Sequence, residues 1–157
     1  MRAFDSTRPT LIPGDAAAVL PYADGKYAWP LADIARFPRA RRRYITVLGN
    51  PMTASICDVE RFDVPPEHAP TFIRHRRILF PGTLPTIYCN RVTLPAVQEH
   101  CRGLEYRVWL ATLDGSIPQH ITGGGQLCAV QFRGGPDDDY DVTEVIDPAW
   151  LRPVQHP

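Results

Sequence analysis

The chain has 157 residues, 17 of them Lys or Arg and 17 Asp or Glu, for a formal net charge of zero. That length makes one domain with a real core and is short for two, and 44% apolar with 22% charged residues excludes a disordered acidic or basic tail as the dominant feature. Without a net field there is no overall attraction to nucleic acid or to an anionic membrane, and no stretch approaches the ~20 apolar residues of a membrane span.

Only Lys26 is a lysine, and with 17 prolines the arginine bias indicates a gene of high G+C content. The opening Met1-Arg2-Ala3-Phe4-Asp5 lacks the hydrophobic segment of a signal peptide, so export would need another route. Cys57, Cys89, Cys101 and Cys128 show no C-x-x-C spacing; three of them fall in apolar, strand-like runs and read as small buried hydrophobes rather than as disulfide or zinc ligands.

In chain order, residues 2–5 read as a short strand ending at Asp5, and 6–13 as a turn-rich exit. Residues 14–20 carry an alanine-rich patch suited to a short helix, stopped by Pro21. Asp24-Gly25 reads as a turn with Tyr22, Tyr27 and Trp29 around it, a cluster that either packs a loop against the domain or stacks on a ring-shaped ligand. A short helix is expected over 31–37. Arg39, Arg41, Arg42 and Arg43 form a basic run in a connection, read as a solvated turn. Strands follow at 44–48 and 54–60, the second ending in Asp58-Val59-Glu60. Pro65-Pro66 opens a helix over 69–79, closed by Gly82. Then come a strand at 84–90, a helix at 93–101, strands at 107–112 and 126–132, and a final β-branched segment through Ile146, with an irregular tail from about 148. Strands alternating with helices at this spacing predict an α/β domain with parallel strands. No convincing strand lies between Asp5 and Tyr44, so the expectation is a reduced or distorted TIM-like (β/α) barrel, given that a full one takes ~200 residues or more.

Acids fall where such folds place their chemistry, at the carboxyl ends of strands. Asp5 closes the first strand. Asp58 and Glu60 are two apart on an extended segment and share a face, and Asp141 opens the last one. Carboxylates facing one space push their proton affinities apart, and an acid kept protonated beside one kept ionised is the equipment of glycosidic cleavage. Which acid holds the proton stays open at this level. Other chemistries lack a signature. The histidines at 68, 75, 100, 120 and 156 have no ligand spacing, so no metal is expected. Gly123-Gly124-Gly125 lacks a phosphate-loop context, Asp137-Asp138-Asp139 lacks the spacing of an EF-hand, and no nucleophile elbow is present. No cofactor is called for.

The succession Phe4-Asp5-Ser6, Asp58-Val59-Glu60, Thr86-Ile87-Tyr88, Trp109-Leu110-Ala111, Val130-Gln131-Phe132 and Tyr140-Asp141-Val142 resembles the family 25 glycoside hydrolases, lysozymes that cut peptidoglycan. It is similar above all to compact family-25-like domains of actinobacteria and their phages, which share an Asp-Gly-x-Tyr-x-Trp stretch found here at Asp24, Gly25, Tyr27 and Trp29. The resemblance spans most of the chain, and its specificity lies in the order of the motifs. It implies Glu60 as general acid and Asp58 as the carboxylate that stabilises the charged intermediate or orients the acetamido group. Asp5 and Asp141 would flank the pocket, and Tyr88, Trp109, Gln131 and Tyr27 would line the sugar site. The implied partner is peptidoglycan or a related polysaccharide, with other virion proteins and no nucleic acid. The implied location is the virion or the bacterial cell wall, otherwise the cytoplasm. Val130 stands where the family carries an aromatic, which removes one stacking surface.

Overall fold

The computed structural model describes residues 1–60, 62–135 and 138–152. Nine strands form one sheet: β1 (Arg2–Asp5), β2 (Ala18–Val19), β3 (Arg41–Arg42), β4 (Ile45–Thr46), β5 (Ile56–Asp58), β6 (Thr86–Asn90), β7 (Arg107–Ala111), β8 (Gln126–Arg133) and β9 (Asp141–Val145), in the spatial order β3-β2-β1-β9-β8-β7-β6-β5-β4. The sheet curls. Just past β2, Tyr22 bridges Ile45 of β4 in parallel: the Ile45 N–H donates to Pro21 O (2.9 Å) and the Ala23 N–H to Ile45 O (2.7 Å). The helices are few: α1 (Leu31–Ala35), α2 (Ala69–Leu79) and α3 (Leu94–His100).

Side-chain alternation sorts the strands into two faces. The enclosed face carries Ala3, Ile56, Tyr88, Trp109, Ala129 and Val145. The outer face carries Cys57, Val59, Ile87, Cys89, Val108 and Leu110 and packs against Phe72 and Ile73 of α2 and Val97 of α3. On the remaining side, β1 and β2 are covered by a loop rather than a long helix: Ile12, Ala16, Val19, Trp29 and Phe37 form a separate cluster, pinned where the Trp29 indole N–H donates to Ser6 O (2.9 Å). All four cysteines are free and buried, three of them on β5, β6 and β8, as their apolar surroundings predict.

Several expectations are corrected. Strands parallel throughout were expected; the sheet is mixed, because β9 runs antiparallel to both β1 and β8. The reason is length: the connection from Arg133 to Asp141 is shorter than the dozen or so residues a parallel crossover requires, whereas a hairpin needs only a few. The helix predicted over 14–20 is replaced by β2. Ala18 and Leu20 join the enclosed core while Ala16 and Val19 join the outer cluster, so both faces are buried and packing overrides the helix preference of alanine. β2 and β3 also occupy the stretch between Asp5 and Tyr44 where no strand was expected. The basic run is not a solvated turn: Arg41 and Arg42 form edge strand β3, and Arg43 is only 7% exposed. The irregular tail predicted from about 148 instead opens with a 3-10 turn, Pro148–Leu151, whose Trp150 and Leu151 are buried. Trp150 closes the amino end of the enclosed space, its indole N–H donating to Thr86 Oγ1 (2.9 Å) and its ring 5.9 Å from that of Trp109. No helix among the described residues is long and apolar enough to cross a membrane.

Candidate active site

With one end filled by Trp150, the enclosed face is open where the strands present their carboxyl ends. Asp5 lies at the end of β1 and is the register partner of Asp141. Because β9 is antiparallel, its first residue stands level with the last residue of β1, which brings the final acid to the same mouth as the others. Asp58, at the end of β5, pairs in register with Tyr88 of β6; Glu60 follows it. A cleft of about 480 Å³ opens here, lined by Asp58, Glu60, Asp141, Tyr22, Tyr88 and Gln131 and bordered by Ser6, Thr7, Arg8, Leu113, Gly135, Asp138 and Tyr140. A wider cavity, about 580 Å³, lies beside α2 between residues 47–49 and 63–72, but its walls are largely apolar, and Asp63 is the single acid among the described residues lining it.

The acids differ in exposure and hence in proton affinity. Asp5 is 2% and Asp58 6% exposed, and Oδ1 of each has no hydrogen-bond donor. Burial, then the charges of Asp141 and Asp58, hold the Asp5 carboxyl well above the carboxylate range. Asp5 and Asp141 are in mutual hydrogen-bonding contact, and the Tyr22 hydroxyl donates weakly to Asp5 Oδ2 (3.4 Å). Asp141 is pushed up to about 6 by burial, against the lowering effect of the hydrogen bonds from Asp5 and the Gly135 backbone. Asp58 is raised well above its ordinary value by burial, then by the charges of Glu60 and Asp63. Glu60 is half-buried and raised too, mainly by loss of solvent, with Asn90 Nδ2 donating to its Oε1 (3.3 Å) and working the other way. The phenols of Tyr22 and Tyr88 are raised by burial and by the surrounding acids, so they enter the site as neutral donors.

Of the residues singled out in the sequence, Asp58, Glu60, Asp141, Tyr88 and Gln131 line the cleft, and Asp5 lies directly behind it against Asp141. Gln131 is 4% exposed, and its buried Oε1 has no hydrogen-bond partner. Two residues are placed elsewhere. Trp109, expected to line the sugar site, is 1% exposed: it packs edge-on beneath Tyr88 (4.5 Å between centroids) and its indole N–H donates to Thr143 Oγ1 (3.1 Å). Strand alternation aims it into the enclosed space, but it sits on the floor rather than the wall. Tyr27 lies in a 3-10 turn (Gly25–Tyr27), 5.8 Å from the Tyr22 ring and under the Lys26 ammonium; it backs a cleft residue without lining the cleft. Thus the aromatic cluster divides, Trp29 packing the loop and Tyr22 facing the acids.

The chain matches no protein-family model, no curated protein and no solved structure.

The site also depends on residues that sequence reading passed over. Gly134 (φ 149°) runs so close to Asp141 that a Cβ there would lie 1.8 Å from Asp141 Oδ1. A pair of glycines directly after a strand is the signal that could have found it. Ser6 Oγ donates to Asp139 O (2.9 Å) and the Tyr140 ring meets Phe4 edge-on at 5.5 Å, which seats the approach to β9 against β1. Asp137 lies outside the described residues; of its neighbours, Asp138 accepts from Arg133 and Asp139 stands 3.7 Å from Arg8. Asp63 had no signal. It joins Asp58 and Glu60 in a group whose carboxylate oxygens lie within 4.8 Å of one another, close enough to hold a cation where no metal was expected.

Proposed function

We propose that this chain is a glycoside hydrolase acting on the β-1,4 bonds of peptidoglycan. The observation that carries the reading is the convergence of Asp5, Asp58, Glu60 and Asp141 at one mouth from three separate stretches of chain, with Asp5 just behind the other three. Glu60 is assigned as general acid. It is only half-buried where Asp5 and Asp58 are buried, so it can deliver a proton to a leaving oxygen and regain one from water at each turnover, while burial keeps its proton affinity above that of an ordinary carboxyl. Asp58, deeper and adjacent, faces the charge that develops on the sugar or orients a 2-acetamido group. It ionises only when such a cationic centre offsets its burial. The Asp5–Asp141 pair, both raised in proton affinity by burial, flanks the pocket, and Gln131 forms part of its wall. In this reading the mixed, curled sheet is a reduced (β/α) barrel with most helices lost and its final strand reversed. The setting fits a phage-encoded domain that is carried in the virion or released to the cell wall.

The test is release of reducing ends from purified peptidoglycan. Wild type should be active, and Glu60→Gln slower by about 10²–10⁴-fold, the usual contribution of a positioned general acid. If wild type and Glu60→Gln are both inert yet sediment with cell wall, the domain is a carbohydrate-binding virion component and the hydrolase reading is wrong.

A further inference from the structure

At the opposite end of the sheet from the acids lies a second charged cavity, about 320 Å³, lined by Arg42, Arg43, Arg76 and Arg152 with Tyr44, Ser55 and Phe80 among its other walls. We infer that it is a binding site for a phosphate group, either free phosphate or the phosphodiester of a polyol-phosphate chain, built around these four guanidinium groups.

Arg43 and Arg76 are 7% and 6% exposed. Their hydrogen bonds run to neutral oxygens: Arg43 donates to Trp150 O and to Ser55 Oγ (3.2 Å), and Arg76 to Pro51 O (2.6 Å) while lying over the Phe80 ring. Arg42 donates to Phe37 O (2.5 Å), and the Nε–H groups of Arg42 and Arg76 are buried without an acceptor. Among the described residues none of the four forms an ion pair; Asp147, the acid whose charge acts on Arg43, is paired with Arg107 at 3.1 Å. The charges of Arg107 and Arg76 add to burial in bringing Arg43 down to about 10, so the group stays charged at neutral pH without a counterion.

Buried cations without a counter-charge are costly, and guanidinium forks match phosphate oxygens two at a time. A cavity of this size holds the anion together with a small substituent. Nothing here depends on the acid cleft, and the site can exist whether or not the chain cleaves sugars.

The experiment is isothermal titration of the full chain with inorganic phosphate and, separately, with poly(glycerol phosphate), against chloride at matched ionic strength. Wild type should bind saturably. Arg152→Gln, which removes an exposed side chain without disturbing the core, should weaken binding about tenfold, as loss of one charged hydrogen-bond partner does; Arg42→Gln should act similarly. Tighter binding of the polymer, displaced by phosphate, identifies the phosphodiester as ligand, and binding of inorganic phosphate alone identifies the free anion. The proposal is overturned if neither probe binds below about 10 mM, if Arg152→Gln binds like wild type, or if an oligonucleotide binds while both probes fail. A purely structural role for the arginines would alter unfolding temperature without altering these isotherms.

Discussion

The acids at the mouth should make the protein less stable as pH rises, the reverse of the usual behaviour of paired carboxylates. Asp141 moves from an ordinary 3.8 to about 6 on folding, so between those values the native state binds one proton more than the unfolded chain. Stability then falls by about 1.4 kcal/mol per pH unit. The contribution is fully present below the unfolded value and gone above the folded one. Over this window the loss is about 2–3 kcal/mol once partial solvent screening is allowed for. At ~2–4 °C per kcal/mol for a chain of this size, that is ~5–10 °C in Tm. Asp5 and Asp58, more deeply buried and raised in the same direction, add to the decline. Urea unfolding from pH 4 to pH 8 measures it. Asp141→Asn, which removes the charge and keeps the shape, should be more stable than wild type at pH 8 and show a shallower slope. A wild type that gains stability across this range, or a variant with the parental slope, would refute the account of buried carboxyls with raised proton affinity.

Gly134→Ala would drive a Cβ into the Asp141 carboxylate; we expect about 1–3 kcal/mol of destabilisation by denaturant titration and, in the reducing-end assay, at least tenfold lower turnover. Trp150→Ala empties the amino end of the enclosed core and removes the bond to Thr86, which should cost about 3–5 kcal/mol in chemical unfolding. Asp24 accepts from Thr46 Oγ1 (2.5 Å), the Val47 N–H (2.9 Å), the Leu48 N–H (3.3 Å) and Thr53 Oγ1 (3.4 Å). Its replacement by alanine leaves part-buried donors unsatisfied, so a loss of about 2–3 kcal/mol is expected, with faster hydrogen exchange at the Val47 amide as the local readout.

Where a residue's role is set by its own neighbours in the chain, the sequence discloses it. α2 occupies the residues its Pro-initiated, Gly-terminated pattern predicts, and β5 to β8 follow from β-branched apolar runs. Asp5 and Asp58 could be singled out because each closes a short strand-like run, and Asp141 because it opens one. What failed was decided by distant contacts. Ala18 and Val19 carry no strand signal of their own and are extended because two separate clusters bury their opposite faces. The family resemblance placed Trp109 on the cleft wall; strand alternation does aim it inward, but depth along the strand cannot be read from alternation. Arg43 looked solvated because its acceptors, Trp150 O and Ser55 Oγ, come from remote parts of the chain. The reversal of β9 was legible after all, since the short Gly134-Gly135 connection rules out a crossover.

The pairing of β1 with β9 places Asp5 opposite Asp141 across 136 positions of sequence. Contacts of such separation are the slowest a chain makes, because a long loop must close before any contact rewards it. During synthesis the first acid therefore emerges long before its register partner exists. The pocket cannot be complete until β9 has left the ribosome and docked between β1 and β8, so a growing polypeptide carries an unfinished mouth until that strand is in place.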